Sequence, residues 1–210
     1  MKVYFDKAFT KIAVLGSGTM GGQIAAHFAN LGFDTLMFDT SEEALSKSLA
    51  MMKKLKPTPF ASPSVSASIK TATYDNLDAL SSCDFIIESI VENLDIKKQL
   101  FKKISPHVND NAVLVTNTSG LSIQQIAETS PESLRSRIFG VHFFNPPRYM
   151  PLVELIRTSY SDESLLNKAE GFITSAVGKE VVYAKDSPAF DANRIGVFSF
   201  MAVLKHAENF

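Results

Sequence analysis

The chain has 210 residues, 45% of them hydrophobic and 20% charged, with a formal net charge of -1. That balance belongs to an ordinary globular sequence with material for one large domain and excludes a disordered or collagenous one. Near neutrality gives no reason to expect a nucleic-acid or anionic-membrane partner. The longest strongly apolar run, Ile195 to Leu204, is about half the roughly 20 residues a membrane helix needs, and the opening MKVYFDKAFTK lacks the uninterrupted apolar core of a signal peptide. These features predict a cytoplasmic protein. The single cysteine, Cys83, excludes an internal disulfide and a cysteine-based zinc cluster, and its apolar surroundings predict a core filler.

In chain order, short apolar runs alternate with helical patterns, the signature of a parallel sheet with crossover helices. Lys11 to Leu15 reads as a first strand and Met20 to Leu31 as a helix ended by Gly32. Thr35 to Phe38 reads as a second strand, and Ser41 as the N-cap of a second helix with Glu42 and Glu43 in its first turn. Pro57 to Ser68 (PTPFASPSVSAS) breaks the rhythm and reads as a surface excursion. Further strands are predicted at Phe85 to Glu88, Val113 to Thr116, Ile138 to His142, Leu152 to Ile156 and Val181 to Ala184. The predicted helices between them run from Leu94 to Ile104, Ser122 to Glu128 and Glu163 to Val177, and Phe190 to Phe210 is helical in pattern. The fold class is α/β: a doubly wound, mostly parallel Rossmann-type sheet.

Gly16-Ser17-Gly18-Thr19-Met20-Gly21 is a G-x-G-x-x-G between the first strand and the first helix. Gly16 makes the tight turn, Gly18 lets backbone amides approach a pyrophosphate, and Gly21 lets helix and strand pack closely. The helix N-terminus then offers unpaired N–H groups and a positive dipole end to phosphate. Asp39 closes the second strand about 20 residues on, where a carboxylate hydrogen-bonds a ribose 2′-hydroxyl. It would repel a 2′-phosphate, and Thr40 and Ser41 supply no arginine to bind one, so the pattern predicts NAD rather than NADP.

Two further strand ends carry polar groups at the carboxyl edge of the predicted sheet. In VTNTSGLSI, Asn117, Thr118 and Ser119 emerge beyond a strand; in GVHFFNPPRYM, His142 ends a strand before Pro146-Pro147 turns the chain. Glu154 sits within the apolar strand LVELI, on the face of Leu152 and Ile156, so its charge needs a buried partner. His142 is the natural one, and a carboxylate-paired histidine is a competent general base near neutral pH.

Together these stretches resemble the L-3-hydroxyacyl-CoA dehydrogenase family of fatty-acid β-oxidation, through GSGTMG, VENLDIKKQLF, NTSGLSI, VHFFNPPRYMPLVELI and KDSPAFDANRIG. The forms NTSG, HFFNPPRYM and ANRIG look most like the long bacterial and archaeal members, in which an enoyl-CoA hydratase region follows. The resemblance implies NAD-dependent oxidation of (3S)-3-hydroxyacyl-CoA to 3-oxoacyl-CoA without a metal. His142 would be the catalytic base, Glu154 its orienting carboxylate, and Ser119 and Asn193 the groups that hold the substrate hydroxyl and thioester region. Glu92, Lys97, Asn117, Ser119 and Asn145 match NAD-contacting positions. Lys53, Lys54 and Lys56 would meet CoA phosphates, or form a solvated face.

The family commonly has glycine where Ala189 stands and an apolar residue where Asp191 stands. A helical domain that completes the acyl pocket and forms the dimer follows ANRIG in the family. The resemblance thus divides the chain into a NAD-binding domain over 1–188 and the first helix of a truncated helical substrate and dimerisation domain over 189–210, with an acyl-CoA substrate and a homodimer through that helical region. Two rivals stay open: a related sugar-acid (gulonate-type) dehydrogenase, and a catalytically silent NAD-binding module.

Overall fold

The computed structural model describes residues 8–207. In chain order the elements are β1 (Lys11–Leu15), α1 (Thr19–Asn30), β2 (Asp34–Asp39), α2 (Glu42–Met52), β3 (Lys70–Thr73), β4 (Phe85–Glu88), α3 (Leu94–Ile104), β5 (Val113–Thr116), α4 (Ile123–Glu128), α5 (Glu132–Arg135), β6 (Ile138–Phe143), β7 (Leu152–Ile156), α6 (Glu163–Ser175), β8 (Glu180–Ala184) and α7 (Ala192–Ala207). The strands form one eight-stranded sheet in the order β3-β2-β1-β4-β5-β6-β7-β8, parallel except where β7 runs against β6. The mostly parallel Rossmann-type architecture expected of the alternating pattern is what the chain forms.

The central strands are apolar because both faces of a parallel sheet are covered by crossover helices. One face packs Ile12, Val14, Phe85 and Val113 against α1 and α6, with Phe28 and Phe172 stacked at 6.2 Å between ring centres. The other packs Ala13, Leu15, Ile86 and Leu114 against α3 and α4. Cys83 is buried there, and its thiol is pushed up to about 11 by burial, as suits an inert core residue.

The segment from Pro57 to Ser68 is less of an excursion than its composition implies. Phe60 is buried in the core and a 3-10 turn spans Pro63–Ala67. Asn30, at the end of α1, brackets the segment by donating to Pro59 O at 2.7 Å and accepting from Ala61 N at 2.7 Å. One large aromatic anchors a stretch whose other side chains are small. The short edge strand β3 was not apparent in the sequence: it pairs with β2 alone, and in KTAT just Ala72 is buried.

At the other end, α7 has no buried residue, and Ile195, Val197, Phe198, Phe200, Met201, Val203 and Leu204 are exposed. Phe190, just before it, is fully buried.

Candidate active site

The carboxyl edge of the sheet opens into a cavity of about 1140 Å³. Its cofactor end is made by the turn between β1 and α1. Gly16 has φ +99°, in the left-handed region, and a Cβ there would lie 2.6 Å from Ser89 O. At Gly21 a Cβ would lie 1.9 Å from Gly16 O, so the close passage of α1 over β1 requires glycine. Gly18 has open space instead, with nothing within 4 Å of where a Cβ would stand. It caps α1 without a side-chain hydrogen bond, so the helix's first N–H groups are left for an anion.

Asp39 is tied into the same turn. Its Oδ2 accepts from Ser17 N at 2.7 Å and Ser17 Oγ at 2.5 Å, and its Oδ1 accepts from Thr40 N at 2.7 Å. Burial pushes the carboxyl up, but the bonds from Ser17 and Thr40 outweigh it and hold the group below its ordinary value. The cavity is thus presented with an ionised acid beside Gly16, Gly18, Thr19, Met20 and Thr40.

The opposite end is made where β6 meets β7. Antiparallel pairing sets His142 directly across from Glu154, and His142 Nδ1 lies 2.8 Å from Glu154 Oε2. Both side chains are buried, yet His142 lines the cavity. An imidazole that donates from Nδ1 to a carboxylate keeps its lone pair on Nε2. The other carboxylate oxygen, Oε1, accepts from Asp191 N at 3.1 Å and Ala192 N at 2.8 Å, the backbone that opens α7. One carboxylate therefore joins the histidine to the start of that helix, a favourable place for negative charge. The chain reaches α7 through Ala189 and Phe190, both at positive φ, 64° and 44°. Left-handed backbone strains a residue with a Cβ, so both positions carry local strain.

Of the remaining predicted residues, Glu92, Lys97, Asn117, Ser119, Asn145 and Asn193 line the same cavity. Asn193 Nδ2 donates to Ser119 O at 2.8 Å, bringing α7 against the loop after β5. Glu92 Oε1 accepts from Thr118 Oγ1 at 2.6 Å, Ser119 N at 2.7 Å and Ser119 Oγ at 3.0 Å. Burial raises the Glu92 carboxyl, but these bonds and the Lys97 ammonium bring it below its ordinary value. Asn117 and Asn145 line the cavity with their side-chain oxygens already engaged, by Phe143 N at 2.8 Å and Gln23 Nε2 at 3.2 Å. Lys97 is fully buried and bonded to Glu88, 2.6 Å away. Lys53, Lys54 and Lys56 are exposed, and none lines this cavity.

Sequence reasoning missed Glu88, Thr116, Gln23 and Lys179. Glu88 carried a readable signal, a carboxylate closing the otherwise apolar strand FIIE. Lys179 carried none: it is buried and donates to Pro147 O at 2.5 Å and Met150 O at 2.8 Å, holding the loop behind Asn145.

Residues 11–187 match the family described as 3-hydroxyacyl-CoA dehydrogenase, NAD binding domain. The chain belongs to this family. It is 37% identical to a probable 3-hydroxyacyl-CoA dehydrogenase of Bacillus subtilis, over 95% of the chain and 28% of that protein. It is 36% identical to a putative fatty acid oxidation complex trifunctional enzyme of Rickettsia felis, over 94% of the chain and 28% of that protein. The crystal structure of (S)-3-hydroxybutyryl-CoA dehydrogenase PaaH1 from Ralstonia eutropha superposes with a TM-score of 0.78 at 33% identity, over 89% of this chain and 67% of that one. The chain spans under a third of the length of the Bacillus and Rickettsia relatives.

The family's cofactor, NAD, fits the residues present: the open cradle at Gly18, the uncapped start of α1 and the ionised Asp39 suit a pyrophosphate and an adenosine ribose. Among the described residues no group of His, Cys, Asp and Glu could hold a metal ion, and no helix is long and apolar enough to cross a membrane.

Proposed function

We propose that this chain is the NAD-binding part of an enzyme that oxidises (3S)-3-hydroxyacyl-CoA to 3-oxoacyl-CoA in fatty-acid β-oxidation. The observation that carries the reading is the buried pair His142–Glu154 in the wall of a dinucleotide cavity. NAD, when bound, supplies the acceptor for the hydride from C3. Gly16 to Gly21 would hold its pyrophosphate and Asp39 its ribose hydroxyl, with Glu92, Lys97, Asn117, Ser119 and Asn145 along the rest of the dinucleotide. His142 Nε2 takes the proton of the substrate's 3-hydroxyl, and Glu154 stabilises the imidazolium that results. Ser119 and Asn193 orient the hydroxyl and the thioester region. A second recess of about 580 Å³ adjoins these two residues and is walled by Leu121, Val197 and Phe200, which suits an acyl chain.

In the same reading residues 1–188 form the dinucleotide unit and 189–210 begin a helical domain that completes the pocket and pairs two copies. The apolar surface of α7 supports this, since a helix hydrophobic on all sides needs cover on more than one of them. Lys53, Lys54 and Lys56, outside the large cavity, would supply cations to CoA phosphates, and the reaction belongs in the cytoplasm.

A steady-state assay of the natural polypeptide with NAD tests the reading. Oxidation of (S)-3-hydroxybutyryl-CoA, with no turnover of free 3-hydroxybutyrate or a sugar acid such as gulonate, is the expected result. Turnover of the sugar acid alone would transfer the site to the rival substrate class, and NAD binding without turnover of either would make the chain a silent module.

A further inference from the structure

The proposed reaction leaves Glu88 without a part, although it is buried and bonded through both carboxylate oxygens. It closes β4 with no exposed surface. Its Oε1 accepts from Lys97 Nζ at 2.6 Å and Ile90 N at 2.7 Å, and its Oε2 accepts from Thr116 Oγ1 at 2.6 Å. Lys97, itself buried, reaches Glu92 Oε2 at 3.3 Å with the same ammonium. Glu92 then uses its other oxygen to hold the turn of Thr118 and Ser119.

The chain of contacts therefore runs Glu88, Lys97, Glu92, Ser119, from the floor of the sheet to the edge of both cavities. A buried ion pair adds little stability over apolar residues of the same volume, so stability alone does not account for it. What the arrangement fixes is direction. Lys97 stands between two carboxylates. Without the charge of Glu88, its ammonium has Glu92 as its remaining carboxylate and moves toward it, drawing Glu92 off the Ser119 turn. The backbone bond from Ser119 N, at 2.7 Å, is shorter than the 3.0 Å bond from Ser119 Oγ. The loop is thus held by its backbone while the hydroxyl is the part able to turn toward a substrate oxygen.

We propose that Glu88 is a positioning residue, setting Ser119 for the substrate hydroxyl through Lys97 and Glu92. This rests on the reading above in which Ser119 meets that hydroxyl. The test compares Glu88→Gln with the volume-conserving pair Glu88→Leu/Lys97→Met in the natural polypeptide, following kcat and KM for (S)-3-hydroxybutyryl-CoA, the thermal midpoint, and hydrogen exchange over residues 117–122 and 113–116. Glu88→Gln should lower kcat about tenfold with a smaller change in KM, and speed exchange about tenfold over 117–122 but not over 113–116. The apolar pair should restore the thermal midpoint without restoring slow exchange over 117–122. Recovery of kcat together with the midpoint would reduce the network to a structural tie and overturn the proposal. Unchanged exchange at 117–122 in Glu88→Gln would overturn it as well. If the unaltered protein turns over no 3-hydroxyacyl-CoA while the exchange effect is present, the reading of the reaction fails and the coupling of Glu88 to Ser119 stands.

Discussion

The glycine turn and the acid at the cofactor end of the large cavity come from a single short stretch, residues 16 to 40, whereas the chemical end is made of side chains from β6, β7, the loop after β5 and the start of α7. The first end is closed locally: a glycine turn, a helix start and one acid bonded to Ser17 and Thr40. The second exists only when distant elements arrive together, since Glu154 must bond both the histidine on the neighbouring strand and the backbone that begins a helix nearly 40 residues later. A dinucleotide presents much the same phosphates and riboses to every enzyme that binds it, and backbone suits that constancy. Proton transfer from one hydroxyl needs a side chain placed to a fraction of an ångström, and packing between elements supplies it.

His27 lies on α1, the helix of the cofactor end, and it feels the cations Lys179 and Arg148 that hold the loop of the chemical end. Its Nε2 is buried without a hydrogen-bond partner. Burial foremost, with Lys179 and then Arg148 adding to it against a backbone bond at Val177, lowers its pKa to about 4. The unfolded chain holds this proton below about pH 6.5 and the folded chain does not, so stability is full above that pH and falls as pH drops toward 4. The loss should reach about 3 kcal/mol. Denaturant titrations across that range should be steep for the unaltered protein and flatter by this amount for His27→Gln. An equal dependence of stability on pH in the two proteins would show that the fold does not hold His27 neutral.

A smaller effect tests the cofactor end by itself. One charge-assisted hydrogen bond to the ribose is worth about 1.5 to 3 kcal/mol, so NAD should bind at least about tenfold more tightly than NADP. Asp39→Ala should erase that preference in calorimetry. Equal affinities in the unaltered protein would mean that the turn does not read the ribose.

The same division explains what was legible in the sequence. Gly16 to Gly21 and Asp39 act within one βαβ unit, so their spacing announced them. The boundaries of β1, β4, β5 and β7 were equally readable, because mostly buried apolar runs end where polar residues begin. β3 was not: an edge strand with one neighbour needs little apolar surface. His142 and Glu154 could be paired because a charge in the middle of LVELI demands a partner, although their register across β6 and β7 came only with the fold. The burial of Lys97 was hidden, since its 3.6-residue helical setting says nothing of an acid at the end of the preceding strand. The contact of Glu154 with the start of α7 was hidden for the same reason, being made by backbone that carries no sequence signature.

In the proposed reaction His142, oriented by Glu154, takes the substrate proton. That step is tested most directly by measuring kcat and NAD affinity for His142→Gln in the natural polypeptide with (S)-3-hydroxybutyryl-CoA. The expected result is a kcat lowered by roughly 10² to 10⁴, the usual share of general acid–base catalysis, with a dissociation constant for NAD changed by less than about threefold. A variant that keeps the unaltered kcat would contradict it.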